Sequence, residues 1–310
     1  MRITVRNLTK HFDKVHALEK VSFSLDDRSV TGLIGPNGAG KSTLLRLMAC
    51  RELPTDGDIL YDDTSVLEHP LETLPLIGLM PDSLPEKSSW KVGPYLDFFA
   101  RANNLKGEKR LNRLDEIISL MKLETFLDRK LDALSKGMKQ RVSLGRILLA
   151  GPKVLLMDEP AAGLDPNARI ELRECIRLLN GRGITIIISS HILSDLEDIC
   201  DSLVVLEKGA LRWSGKLDEW HQHQSTAIRL ALDFTALPEG VEATLKGLPH
   251  FRSVSVTGRK SLEVTLEESE NAVDEFMAAV YQAHLPVNGM RVISNSIEEL
   301  FLQTTQGGVQ

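Results

Sequence analysis

Apolar residues along this chain switch between two spacings, and the switches mark its parts. Ile3-Thr4-Val5 and Ala17–Leu25 alternate apolar with polar, which predicts two antiparallel strands separated by polar turn residues. Val30–Ile34 is a short apolar run that reads as a buried strand, and Leu44, Leu45, Leu47 and Met48 then fall at helical spacing within residues 42–50. Pro54-Thr55-Asp56-Gly57-Asp58 predicts a turn, Ile59-Leu60-Tyr61 and Leu76–Met80 two more strands, and the proline-flanked loop Pro81–Pro85 a boundary. From Trp90 to Leu134 the spacing becomes helical, with Tyr95, Phe98, Phe99 and Ala102 predicted on one face and Leu114, Ile117, Ile118 and Met121 on another. A helix carrying Val142, Leu144, Ile147, Leu148 and Leu149 follows. Beyond it come a strand over Val154–Met157, a helix over about 167–179, a strand over 184–189 and a hairpin through Val204–Leu206, Leu211 and Trp213.

The last ninety or so residues read as a separate part. After Trp220, His221-Gln222-His223-Gln224-Ser225 is a polar joint, expected to be a linker over 221–225 rather than a metal site, because only two histidines lie together. Alternating strands at Ile228–Asp233, Phe251–Val256 and Leu262–Leu266 precede a helix over 271–284 with Val273, Phe276, Met277 and Val280 on one face. A strand near 287–293 and a short helix at Ile297–Leu302 complete it. That order predicts a small α+β domain over 226–310, ferredoxin-like in plan.

Composition narrows the function classes. The chain has 310 residues, 42% hydrophobic and 26% charged, as in an ordinary soluble globular protein. A net charge of −6 without a basic stripe argues against nucleic acid or anionic lipid as a direct partner. Cys50, Cys175 and Cys200 are scattered through apolar segments and read as reduced thiols of a cytosolic protein. The apolar runs are too short to span a bilayer, so membrane association is expected only through a partner.

The chemistry concentrates at strand ends. Gly35-Pro36-Asn37-Gly38-Ala39-Gly40-Lys41-Ser42, followed by Thr43, matches the phosphate-binding pattern G-x-x-x-x-G-K-[ST] between a predicted strand and a predicted helix. A polyphosphate must approach bare backbone. Gly35 and Gly40 remove side chains, Gly38 lets the chain curl, and successive N–H groups with the helix dipole point at the anion. Lys41 reaches the terminal phosphates, and the Ser42 hydroxyl can join a magnesium ion. Val154–Met157 ends in Asp158 and Glu159, which are either two solvated carboxylates or, beside a phosphate loop, a magnesium ligand and a residue facing the terminal phosphate and a water. His191 ends another strand, as a capping side chain or as a group sharing that crevice. Ser135 can cap the helix that follows it. Phe12 is either a core residue or a ring placed to stack on a purine.

Taken in order, Gly35–Ser42, Leu134-Ser135-Lys136-Gly137-Met138, Val154–Glu159, Gly163-Leu164-Asp165 and His191 resemble the nucleotide-binding subunits of ABC transporters across roughly residues 1–220. The resemblance implies a P-loop NTPase core of ABC type, with an antiparallel β subdomain and an inserted helical subdomain over about 86–150. It implies ATP and Mg2+, with Phe12 on the adenine, Ser42 and Asp158 on the metal, Glu159 as general base and His191 as the switch histidine. Ser135 and Gly137 would touch ATP held by the opposite subunit, and Asp165 would link the two sites of a dimer, with itself or with a second ABC ATPase. A separately encoded transmembrane permease would dock on the helical subdomain and hold the subunit at the inner face of the membrane. Lys136 and Met138 replace a glycine and a glutamine of the family's signature, a form similar to the exporter branch, as is the ending Ser296–Leu302. Asp82 stands where the family has a magnesium-linked glutamine, which leaves its coupling role open. The rival expectation is an ABC-type ATPase acting on ribosomes or DNA.

Overall fold

The computed structural model describes residues 1–81, 89–191, 196, 198–224, 227–238, 240–258, 260–267, 269 and 271–293. Two compact units emerge, Met1–Leu217 and Asp218–Gln310. In the first, strands β1 (Ile3–Phe12), β2 (Val15–Leu25), β4 (Asp56–Tyr61) and β5 (Thr64–Ser65) form an antiparallel sheet of order β2-β1-β4-β5. Strands β3 (Val30–Ile34), β6 (Ile77–Met80), β7 (Val154–Met157), β8 (Thr185–Ser190), β9 (Ser202–Glu207) and β10 (Ala210–Lys216) form a second sheet of order β10-β9-β3-β8-β7-β6. It is parallel except for the edge hairpin β9–β10.

Helix α1 (Lys41–Met48) joins the two sheets into one core. Its Leu44, Leu45, Leu47 and Met48 pack in a single cluster with Ile3 and Ile59 of the antiparallel sheet and with Leu33, Leu156 and Ile187 of the parallel one. Burial of such side chains is worth roughly 1.5–3 kcal/mol each. The Tyr61 hydroxyl, fully buried, donates to the Met48 carbonyl at 2.8 Å and pins the end of α1 to β4, and burial pushes that phenol far above its ordinary range. Strands β3, β7 and β8 are buried along their whole length, as parallel strands covered on both faces require.

After α2 (Pro70–Thr73) and β6, the helical subdomain runs through α3 (Val92–Ala102), α4 (Gly107–Leu120) and α5 (Lys136–Leu148). The buried stripe of α3 is Val92, Tyr95, Leu96 and Ala100, not the predicted Tyr95, Phe98, Phe99 and Ala102. Phe98 is 51% exposed and meets Trp90 edge to face, 5.4 Å between ring centroids. Periodicity locates an apolar stripe, but which side of a doubly apolar helix is covered depends on its neighbours. Helix α6 (Pro166–Gly181) lies between β7 and β8 in sequence, as a parallel crossover demands. Among the described residues no helix is long and apolar enough to cross a membrane.

Helix α7 (Leu217–Gln224) replaces the coil expected over 221–224, so the polar joint is largely helical. In the second unit, β11 (Ala227–Phe234), α8 (Val241–Lys246), β12 (Phe251–Val256), β13 (Ser261–Glu267), α9 (Ala272–Gln282) and β14 (Val287–Ile293) follow as β-α-β-β-α-β. The sheet is antiparallel, in order β12-β13-β11-β14, the arrangement of a ferredoxin-like unit. Helix α8 has no counterpart in the sequence expectation, because its six residues carry only two buried positions, Val241 and Leu245. Met277 of α9, predicted on the apolar face, is 43% exposed, while Ala272, Phe276 and Val280 are buried. The predicted helix at Ile297–Leu302 falls outside the described residues.

Candidate nucleotide site

Sheet order brings the chemistry together. Strand β8 lies between β3 and β7, and all three run parallel, so the loop after β3, the acids after β7 and the histidine after β8 open on one edge. That edge, at the carboxyl ends of parallel strands, is where open α/β sheets hold ligands.

The loop after β3 leaves no room for side chains at two positions. Gly40 has φ of +104°, a left-handed conformation, and a Cβ there would come within 2.6 Å of the Ala17 carbonyl oxygen. A Cβ on Gly35 would collide with the Leu206 carbonyl and with Ala39. Helix α1 starts at Lys41 with no side-chain cap and no acid in its first turn, so nothing in that turn offsets the positive end of its dipole. An anion fits such an end. Asn37 and Gly38 are the centre of a turn closed by the Ala39 N–H on the Pro36 carbonyl at 3.1 Å, Ala39 is buried, and Ser42 and Thr43 follow Lys41 in the first turn of α1.

Lys41 is 6% exposed and its ammonium is wholly enlisted: it donates to the Gly35 carbonyl at 2.7 Å and the Pro36 carbonyl at 3.3 Å, and lies 3.6 Å from Glu159 Oε1. The other oxygen of Glu159 accepts from His191 Nδ1 at 2.7 Å. One carboxylate is therefore bracketed by the phosphate-loop cation and the histidine. Glu159 adopts φ of +45°, a left-handed backbone unusual for a glutamate and a form of local strain found at functional sites.

Ser189 organises both acids. Fully buried at the end of β8, its hydroxyl donates to Asp158 Oδ1 at 2.7 Å and accepts from the Glu159 N–H at 2.9 Å. Sequence reasoning ended the strand at Ser189 and gave its hydroxyl no role, because strand spacing alone does not say which neighbours a side chain meets. The available signal was a polar side chain closing an otherwise apolar parallel strand.

The remaining predicted residues occupy the surrounding elements. Ser135 caps α5, accepting from the Met138 N–H at 3.3 Å, so Lys136–Met138 already form the first helical turn. A Cβ on Gly137 would lie 3.1 Å from Ala168 of α6. Asp165 caps α6 through the Ala168 N–H at 2.9 Å. Gln140, buried in α5, donates to the Pro160 carbonyl at 2.9 Å, and Arg141 pairs with Glu171 of α6. These contacts tie α5 to the segment that follows Glu159, and no sequence spacing announced them. Phe12 is the last residue of β1 rather than part of a loop, 41% exposed, with the Lys10 ammonium 4.6 Å from its ring centre. Asp82 lies outside the described residues. The thiol of Cys175 is pushed up to about 11 and that of Cys200 higher still, both by burial, in keeping with inert packing thiols.

A family profile described as "ABC transporter" matches residues 18–162. Over 254 residues the chain is 32% identical to the uncharacterized ABC transporter ATP-binding protein YxlF of Bacillus subtilis, covering 81% of this chain and 82% of that one. It is 25% identical over 304 residues to the linearmycin resistance ATP-binding protein LnrL of the same organism, covering 98% of each chain. Among solved structures, cbiO1 from Clostridium perfringens, described as part of the ABC transporter complex cbiONQ, aligns with a TM-score of 0.64 at 29% identity. That alignment covers 70% of this chain and 89% of cbiO1.

Proposed function

This chain belongs to the ABC transporter ATP-binding proteins, and from that premise we propose that it powers export of a substrate through a separately encoded transmembrane permease. ATP binding and hydrolysis coupled to transport are the activity of the family. The export reading is supported by the Nod factor export ATP-binding protein I of Rhizobium meliloti, whose likeness, like that of the resistance protein LnrL, runs through 98% of this chain and so includes its C-terminal unit. Other relatives carry the names of import and of export proteins alike; two import proteins match 74% and 67% of this chain and a Nod factor export protein of Ralstonia nicotianae 72%. The substrate's identity belongs to the permease.

In this reading the bracketed Glu159 orients or deprotonates the water that attacks the terminal phosphorus of ATP. Lys41 and the N–H groups of residues 35–43 stabilise charge on the transferring phosphoryl group. Phe12 stacks on the adenine, while His191 holds Glu159 and senses the terminal phosphate. Asp158 and Ser42 fit a magnesium ion as hard oxygen donors beside an anion-receiving helix end, and Asp82 would join them through water; the ion neutralises phosphate charge when bound. Ser135 and Gly137 of one subunit contact ATP of its partner, with Asp165 between the two sites, in a dimer with itself or with a second ABC ATPase. The exposed aromatic pair Trp90 and Phe98 marks the face of α3 on which the permease docks, holding the subunit at the inner side of the membrane.

Ser189→Ala removes the hydroxyl that bonds the Asp158 carboxylate and the Glu159 N–H. Turnover should fall about tenfold, equivalent to ~1.4 kcal/mol of barrier, while ATP affinity stays within about twofold. Steady-state kinetics beside equilibrium ATP binding separates the two; an unchanged kcat would remove Ser189 from the catalytic geometry.

The whole reading is tested by recovering the tagged full-length chain from detergent-solubilised membranes and assaying ATPase on whatever accompanies it. A polytopic membrane protein that alters the hydrolysis rate supports transport. Ribosomes or DNA-repair factors in its place would support the rival and overturn this one.

A further inference from the structure

Outside the nucleotide crevice, the β1–β2 hairpin gathers two imidazoles and a carboxylate on one side. His11 and His16 are register partners across the hairpin, their rings stacked with centroids 4.0 Å apart. In an unbroken strand His16 and Glu19, three residues apart, would face opposite sides. Strand β2 is broken there: His11 pairs with His16 and Lys10 with Leu18, so Ala17 is an extra residue without a partner on β1. One extra residue reverses the alternation beyond it. Leu18 consequently turns into the core and Glu19 outward, onto the face of His16.

The result is a preformed triad. Glu19 Oε2 lies 2.9 Å from His11 Nε2 and 3.5 Å from His16 Nδ1, and one ligand atom from each residue falls within 4.8 Å of the other two. A tetrahedral ion bound at about 2.1 Å holds its ligands roughly 3.4 Å apart, so only small side-chain shifts are needed. Two imidazoles with one carboxylate suit zinc rather than the all-oxygen shells of calcium or magnesium.

We propose that His11, His16 and Glu19 form a surface Zn2+ site, with water completing the tetrahedron. The site needs no assumption about the transported substrate. Its placement gives it a consequence: Phe12 ends the same strand, the Ala17 carbonyl abuts Gly40 of the phosphate loop, and the Glu19 N–H donates to the Gly209 carbonyl at 2.8 Å. An ion joining β1 to β2 there stiffens the hairpin beside the nucleotide crevice.

The test is calorimetric titration of Zn2+ into the untagged, nucleotide-free full-length chain, with circular dichroism verifying the fold of each variant. The wild type should bind one equivalent at this site. His16→Ala and Glu19→Ala should each weaken it by at least the 10–100-fold that loss of a mere supporting group costs. His69→Ala, which removes an exposed imidazole elsewhere, should leave it unchanged. Absence of Zn2+ binding in the wild type, or binding that survives both hairpin substitutions, would overturn the proposal.

Discussion

Glu159→Gln should lower ATP hydrolysis by about 10²-fold or more, the usual cost of losing one preorganised group at a phosphoryl-transfer centre. The amide keeps the size of the side chain and can still accept from His191, so the left-handed turn at Glu159 has no new steric reason to move. What disappears is the negative charge that pairs with Lys41 at 3.6 Å and, in the proposed mechanism, orients water. Freed of that pairing, the ammonium interacts more strongly with a terminal phosphate, so ATP affinity should hold or rise. The variant should then accumulate as an ATP-bound closed dimer. Single-turnover hydrolysis and size-exclusion chromatography with ATP read the two effects separately. Wild-type turnover would count against Glu159 as the group that handles water.

Lys41→Ala should act on the other side of the same pair, at the binding step. Its ammonium is buried and held by two loop carbonyls and Glu159, so a cation is already in place where the proposed mechanism puts the terminal phosphates. A hydrogen bond to a charged group contributes roughly 1.5–3 kcal/mol, so ATP affinity should drop about 10–100-fold, with hydrolysis falling further. The loss also leaves the Glu159 carboxylate, 20% exposed, without its cation. Equilibrium binding of a fluorescent ATP analogue measures the drop. Unaltered affinity would mean that the loop N–H groups and the α1 dipole carry the phosphates alone.

Comparison of the two variants separates binding from chemistry. Glu159→Gln should keep nucleotide and lose turnover, whereas Lys41→Ala should lose both. A pattern in which the two are indistinguishable would mean that the carboxylate and the ammonium act only as a structural pair.

Much of the site was legible in the chain before any fold was known. The glycines of 35–40, the lysine after them and the acids closing Val154–Met157 are local patterns. Their meaning follows from backbone sterics and from the cost of placing charge at the end of a buried strand. The parts that went unread depend on distant neighbours. Ser189 matters because β8 lies between β3 and β7, an order that no local spacing records. The exposed side of α3 was misassigned because Phe98 and Tyr95 are both aromatic, and only packing decides which one the core takes. Helix α8 is too short to show a period.

The sequence by itself determined which chemistry the protein could carry: a phosphate loop, a pair of acids and a histidine, each at the end of its own strand. These depend on residue type and spacing within a few positions. The tertiary structure alone decided which groups meet: Glu159 between Lys41 and His191, Ser189 beneath both acids, and Glu19 turned toward His11 and His16 by one extra residue in β2. Each of those meetings joins residues brought together by sheet order or strand register. Order and register are chosen by burial of whole faces, not by any single side chain.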